Sequence, residues 1–506
     1  MKKNIIISLL IVISSLSLAE IKTPAVIGDN MLLQRDSLVK IWGKADANAK
    51  VDVAFGGQKK STKADAKGDW SLKLDKMPAN KNPQEMIISE NGKIGKTIKN
   101  ILVGEVWVAG GQSNMAWILG QSTDAKSAMH RAKYPTMRYF KQTYTMAKTP
   151  QFDTEKTSQW IVANGENMER TSAVAFYFAE KLMKDLDVPV AIIYTARGAT
   201  KMSCWLPREY HSKSESYKTY LDRFEKVEKT YSEAIYKKRL ADHSQMLKDV
   251  EAKKRKRPST WSWRIAPNPM SPWFDFDTPS YLYNGMVAPI ANYTTRGVIW
   301  YQGESDTGAK EKDFFAEKFS ILVNSWRDKF DNKDMAFYWV QLAPFSTNND
   351  WPVSRWQQLK ARDMIKNSGI VNIIDAGEQK DIHPKDKTTV GTRLASLALK
   401  NTYKQDVYAF APEFKSAKYD GDTAVVELET YGRKLEFKSY ARGFEVCVKG
   451  NWINANASLD GNKLIVKSPE GSEISGVRYL WKNWCMPDVC LYNEDGLPAF
   501  SFTNSK

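Results

Sequence analysis

The chain has 506 residues, is 42% hydrophobic and 26% charged, and carries a formal net charge of +16 at pH 7. These values are ordinary for a globular protein and leave room for roughly two to four domains with cores of their own. They exclude a membrane-embedded chain, since no internal stretch is long and apolar enough to span a bilayer. The basic excess is spread along the chain apart from Lys253-Lys254-Arg255-Lys256-Arg257. It argues weakly for acidic glycans or an anionic surface as partners, and no nucleic acid is expected.

Residues 1–19 read as a secretory signal peptide. Met1-Lys2-Lys3 is a basic start, Ile5 to Leu18 an apolar core broken only by serines, and Ser17-Leu18-Ala19 a small-x-small cleavage site. The mature protein is therefore expected to be periplasmic or secreted, without stable membrane insertion once the leader is removed. Of the four cysteines, Cys485 and Cys490 are near enough in sequence to pair in an oxidising compartment, while Cys204 and Cys447 read as buried free thiols. No Cys/His spacing suggests zinc.

Residues 20–100 show short strands, Met31–Gln34, Val39–Trp42 and Val51–Phe55, separated by turn signals such as Gly56-Gly57. This spacing suits a small β-sandwich-like domain. From 101 to 404 strands and helices alternate, which argues a parallel sheet in a three-layer α/β sandwich. Its expected strands are Glu105–Ala109, Val188–Tyr194, Gly297–Tyr301, Ala336–Leu342 and Ile370–Ile374, and its helices Ser172–Lys184 and Lys387–Asn401. An insertion at about 209–285 interrupts the core, with charged surface helices to 257 and then a proline-broken segment rich in aromatics, including Trp263 and Phe274. Such rings can receive the C–H face of a sugar, or simply staple the loop to the domain. Residues 405–506 return to β patterning, as at Thr423–Leu428 and Leu464–Val466.

Chemistry concentrates at the strand ends. Gly110-Gly111-Gln112-Ser113-Asn114-Met115 follows the apolar strand 105–109, so Ser113 stands at the carboxyl edge where open α/β sheets bind ligands. There it is either a nucleophile or a solvated hydroxyl capping a helix. A nucleophilic serine needs a base, most often histidine. Four histidines occur. His130, His211 and His243 fall in helical or charged segments and read as solvated. His383, in Asp381-Ile382-His383-Pro384, follows a strand and precedes a helix, again at the carboxyl edge. Asp381 is close enough to orient the ring, and Glu304 is a second candidate for that role. Gly198 and Gln302, at two other strand ends, are the expected donors to a developing oxyanion. Arg197, Trp263 and Arg264 are candidate substrate-binding residues; a basic residue near Ser113 would suit an acidic sugar.

Gly111–Met115, Trp300-Tyr301-Gln302-Gly303-Glu304-Ser305-Asp306 and Asp381–Pro384 together resemble the sialate O-acetylesterases, SGNH-type carbohydrate esterases related to acetyl xylan esterases. The resemblance extends to Met31-Leu32-Leu33-Gln34-Arg35, Tyr283–Met286, and Tyr492-Asn493 with Gly496–Ala499, and so spans nearly the whole mature chain. It implies a flavodoxin-like SGNH core with attached β domains. It implies hydrolysis of O-acetyl esters on sugars without a metal or other cofactor, with Ser113 as nucleophile and His383 as base. The Ser113 N–H, Gly198 and Gln302 would form the oxyanion hole. The chain departs from the SGNH pattern in its Asp-x-His spacing and in having Gln302 at the Asn position. Two other readings share these residues or this architecture: an esterase of acetylated xylan or pectin, and a non-catalytic glycan-binding protein.

Overall fold

The computed structural model describes residues 21–258, 261–308, 311–469 and 471–505. The expected leader, residues 1–19, lies outside them. Seven strands form the central sheet in the order 368–371, 336–340, 297–301, 93–111, 190–196, 133–141, 159–164. All neighbours are parallel except the antiparallel edge strand Gln159–Asn164. The fold is thus mixed α/β, a largely parallel sheet with further antiparallel sheets attached.

The strand Lys93–Gly111 organises the molecule. Its first half pairs antiparallel with Asn80–Glu90 and, through Leu102, parallel with Leu32–Gln34. Its second half pairs with 190–196 and 297–301, and Ala196 and Tyr301 both stand opposite Gly111. The N-terminal β region and the parallel core therefore share one strand, which crosses the expected boundary near residue 100.

Side chains along the core strands alternate between two apolar layers. Val106, Val108, Val298 and Trp300 face a cluster with Phe319, Trp326 and Leu359, from the helices Phe315–Lys329 and Trp351–Met364. Trp107, Ala109, Ile299 and Tyr301 face Phe178, Leu394 and Ala398, from the helices Ala173–Leu186 and Lys387–Asn401. Burial on both faces is why these strands read as unbroken apolar runs. Each large side chain so buried contributes about 1.5–3 kcal/mol.

The C-terminal part builds two four-stranded antiparallel sheets around Val426, Val446, Leu464, Tyr479 and Phe502. Arg355, fully buried in a core helix, donates to the carbonyls of Leu480, Lys482 and Asn483 and fastens this part to the core. Cys485 and Cys490, near enough in sequence to pair, do not do so, and all four cysteines are buried free thiols. The turn Met486–Asp488 directs the two sulfurs to different partners: Cys485 lies by Arg355, and Cys490 donates to the Arg442 carbonyl beside Tyr479. Burial pushes both thiols up.

The insertion forms the helices Glu215–Glu228 and Glu233–Glu251, then an irregular segment back to the core. His211, expected to be solvated, is sealed between the Pro207 carbonyl and the Tyr217 ring, and burial pushes its pKa down to about 4.

Candidate active site

The site begins where Lys93–Gly111 ends. Gly111 has φ +132°, and a Cβ there would lie 2.2 Å from the Tyr301 carbonyl oxygen, so only glycine fits. Gln112 N donates to that carbonyl at 2.9 Å, which turns the chain sharply into the one-turn helix Ser113–Ala116. On the neighbouring strand end, Arg197 N donates to Gly111 O. Gly198 faces Ser113 so closely that a Cβ would stand 3.4 Å from Ser113 Cβ. The next residue, Ala199, is held at φ +64°, a conformation a non-glycine residue keeps only where its surroundings enforce it.

His383 comes from the loop before helix Lys387–Asn401. Its Nε2 stands 2.8 Å from Ser113 Oγ. Its Nδ1 faces Asp381 Oδ1 at 3.4 Å, and the same oxygen accepts the His383 backbone N–H at 2.9 Å. The Trp117 ring stacks on the imidazole, 5.5 Å between centroids at 20°. Burial pushes the His383 pKa below its ordinary value; Asp381 opposes that and Lys387 adds to it. The imidazole is then neutral at pH 7, and with Nδ1–H toward Asp381 its Nε2 lone pair faces the hydroxyl. Of the two candidate carboxylates, Asp381 is the one against the ring.

Glu304 is placed differently. Its Oε1 accepts from Asn114 Nδ2 at 2.5 Å, and its sealed Oε2 has no partner among the described residues. Burial pushes this carboxyl up. Gln302 is also turned away from its expected role. Its Nε2 donates to Thr200 O at 3.0 Å and to Asp306 Oδ2 at 2.5 Å, so both amide hydrogens tie loops together instead of facing a substrate oxygen.

Arg197 is half-buried, paired with Asp275 at 2.8 Å and lying 4.8 Å over the Tyr144 ring. Tyr144 and Asp275 belong to a groove of about 380 Å³ that Asn268 and Phe274 also line. Trp263 and Arg264 pack on each other instead, and the Trp263 carbonyl lies 2.9 Å from His243 Nε2 on helix Glu233–Glu251. Those contacts belong to the insertion, not to Ser113.

Sequence reasoning passed over Lys387 and Trp117. Lys387 is fully buried, and its Nζ donates to Asn114 Oδ1 at 2.6 Å. Burial, against the pull of Glu304, brings its pKa down to about 7. The signal was present: Lys387 shares the inward face of its helix with Val390, Gly391, Leu394 and Ala398. A lysine in the first helical turn also opposes the helix dipole, so something else must hold it there.

A hydroxyl and a neutral imidazole in hydrogen-bond contact at the carboxyl edge of a parallel sheet are what a hydrolase needs for acyl transfer. Over nearly its whole length the chain is similar to carbohydrate esterases. A structure of a carbohydrate acetylesterase from Xanthomonas citri superposes with a TM-score of 0.80 at 28% identity, covering 96% of this chain and 100% of that one. The sialate O-acetylesterase of Rattus norvegicus is 26% identical over 525 residues, 94% of this chain and 93% of its own length. The Homo sapiens enzyme is 25% identical over 527 residues, 94% of this chain and 91% of its own. The family model described as "Carbohydrate esterase, sialic acid-specific acetylesterase" matches residues 103–238 and 266–400, and the chain belongs to that family.

Proposed function

We propose that this protein is a sialate O-acetylesterase, a serine esterase with an SGNH-type core that removes O-acetyl groups from sialic acids through an acetyl-enzyme on Ser113. The observation that carries the reading is the 2.8 Å contact of Ser113 Oγ with His383 Nε2, inside the segment matched by the family. Ser113 Oγ attacks the acetyl carbonyl while its proton passes to His383 Nε2. Asp381 holds the opposite ring nitrogen and stabilises the imidazolium. The N–H groups of Ser113 and Gly198 receive the oxyanion, each donor worth about 2.7–4 kcal/mol to the barrier. His383 then gives its proton to the sugar oxygen as the C–O bond breaks. Water, deprotonated by the same imidazole, releases acetate and restores Ser113.

Acetate release from O-acetylated sialic acids, compared with acetylated xylan, tests this with native protein and Ser113→Ala. The expected result is release from the sialic acids that drops by about 10⁴-fold or more in the variant. Release from xylan alone would keep the chemistry and overturn the substrate. One observation favours that second reading: Arg197, one of the two arginines expected to bind substrate, is already paired with Asp275. No release from either substrate, with folded protein, would favour a glycan-binding role. Export follows from the leader, and a mature N-terminus at Glu20 in material from the native host is the result expected. Among the described residues no helix is long and apolar enough to cross a membrane.

A further inference from the structure

Behind Ser113 lies a polar chain that the reaction as written does not use. Asn114, 1% exposed, follows Ser113 directly. Its Oδ1 accepts from Lys387 Nζ at 2.6 Å. Its Nδ2 donates to Glu304 Oε1 at 2.5 Å and to the Ile382 carbonyl at 3.0 Å. Ile382 is the residue before His383. A carboxamide looks nearly the same either way round, and its partners decide which way it points. Here an ammonium that can only donate sits at one end, and a carboxylate that accepts sits at the other. We propose that Lys387 is a positioning residue of the esterase: by gripping Asn114 Oδ1 it turns the amide so that Nδ2 fastens the Ser113 turn to the His383 loop.

The proposal rests on the roles given above to Ser113 and His383. It accounts for a lysine buried in the first turn of a helix whose dipole disfavours it there. Lys387 is walled by Trp117 and Tyr301, with Nζ 5.9 and 5.3 Å from their ring centroids, and Trp117 is also the ring that stacks on His383. The titratable groups facing it are Glu304 from the loop after strand Gly297–Tyr301, and Asp386, Glu378, Asp381 and His383 from its own loop. Four are acids that favour its charged form, and His383 is the group its charge acts on. At the acid pH where His383 takes up a proton Lys387 is charged, so removing it makes that uptake easier.

The test uses Lys387→Met, which removes donor and charge, and Lys387→Gln, which keeps a donor. For each, kcat and KM for an acetyl ester are followed against pH, together with thermal unfolding. Lys387→Met is expected to lose about ten- to a hundredfold in kcat, the usual effect of slight misplacement, with KM within about twofold. Its acid limb moves to higher pH, and its Tm falls, because Asn114 Oδ1 loses its donor and Glu304 a facing positive charge; kcat is therefore read per folded molecule, well below that Tm. Lys387→Gln is expected to regain most of kcat while keeping the moved limb. Wild-type kcat in Lys387→Met, or a loss that simply tracks unfolding, would overturn the proposal. If neither variant folds, Asn114→Ala cuts the same link from the other end, and an unchanged kcat there overturns it equally. Ester hydrolysis by Ser113→Ala at the wild-type rate would instead sink the reading of Ser113. NMR titration of His383 in that same variant background, with and without Lys387→Met, still reports whether Lys387 acts on the imidazole.

Discussion

Glu105 and Glu304 each bury carboxylate oxygen in the same α/β core, and their surroundings differ. Glu105, fully buried within strand Lys93–Gly111, receives Gln34 Nε2, Arg35 Nε, Arg296 Nε and the Tyr403 hydroxyl. Glu304 receives one side-chain donor, from Asn114, and leaves Oε2 unpartnered among the described residues. A carboxylate surrounded by donors is a fastener: its charge is matched and its geometry settled. A carboxylate sealed with too few donors stays electrically unspent, and such groups gather where chemistry happens. The contrast also explains the Leu32–Arg35 block of the sequence, which serves the fastener and lies far along the strand from Ser113.

The comparison breaks most sharply at the fastener. Glu105→Ala strands two arginines and a tyrosine, and is expected to cost about 3–5 kcal/mol in denaturant unfolding. Activity per folded molecule should stay near wild type; a specific loss of activity would mean that Glu105 is not merely structural. Glu304→Gln is the converse. It keeps an acceptor for Asn114 and removes a buried charge, so stability should hold within about 1 kcal/mol. Esterase kcat should fall by about tenfold, because Lys387 loses the acid that favours its charged form and loosens its grip on Asn114. Equal losses of stability in the two variants would erase the distinction. The smallest effect concerns pH. Protonation of His383 removes the acceptor for the Ser113 proton, so kcat/KM should fall through a midpoint below the usual histidine value of about 6.5. Asp381→Asn removes an anion that favours the protonated ring, and should move that midpoint lower still, by about half a unit. A midpoint that moves upward would show that Asp381 does not act on the ring through its charge.

Much of this was legible in the residues. Strand Gly297–Tyr301 and helix Lys387–Asn401 have the same bounds in sequence and structure, because each carries one clear apolar period. Ser113 and His383 were brought together by the scarcity of histidine and by the rule that function sits at the carboxyl edge. The helices Phe315–Lys329 and Trp351–Met364 escaped notice because their inward faces carry Lys318, Arg327 and Arg355, buried charges that blur the period. Strand Lys133–Lys141 was hidden by Pro135, where the pairing register shifts between Tyr134 and Arg138. Gln302 was read as a donor from its place at a strand end; only three-dimensional proximity shows Thr200 and Asp306 using both of its hydrogens. The length of strand Lys93–Gly111 was likewise unreadable, since Thr97, Lys99 and Asn100 break the apolar run and the strand resumes its pairing at Ile101 past a bulge.

That long strand carries a mechanical consequence. Beyond the bulge at Asn100, where φ is +57°, it is a rod of roughly 36 Å at about 3.3 Å per residue, held near its start by Leu32–Gln34 and ending at Gly111. A rod does not absorb displacement. A slip of one residue where Leu102–Gly104 pairs with Leu32–Gln34 would push Gly111 past the Tyr301 carbonyl by about 3.3 Å and turn its side chains to the opposite layer. The N-terminal β region is thus the ruler against which the position of Ser113 is measured.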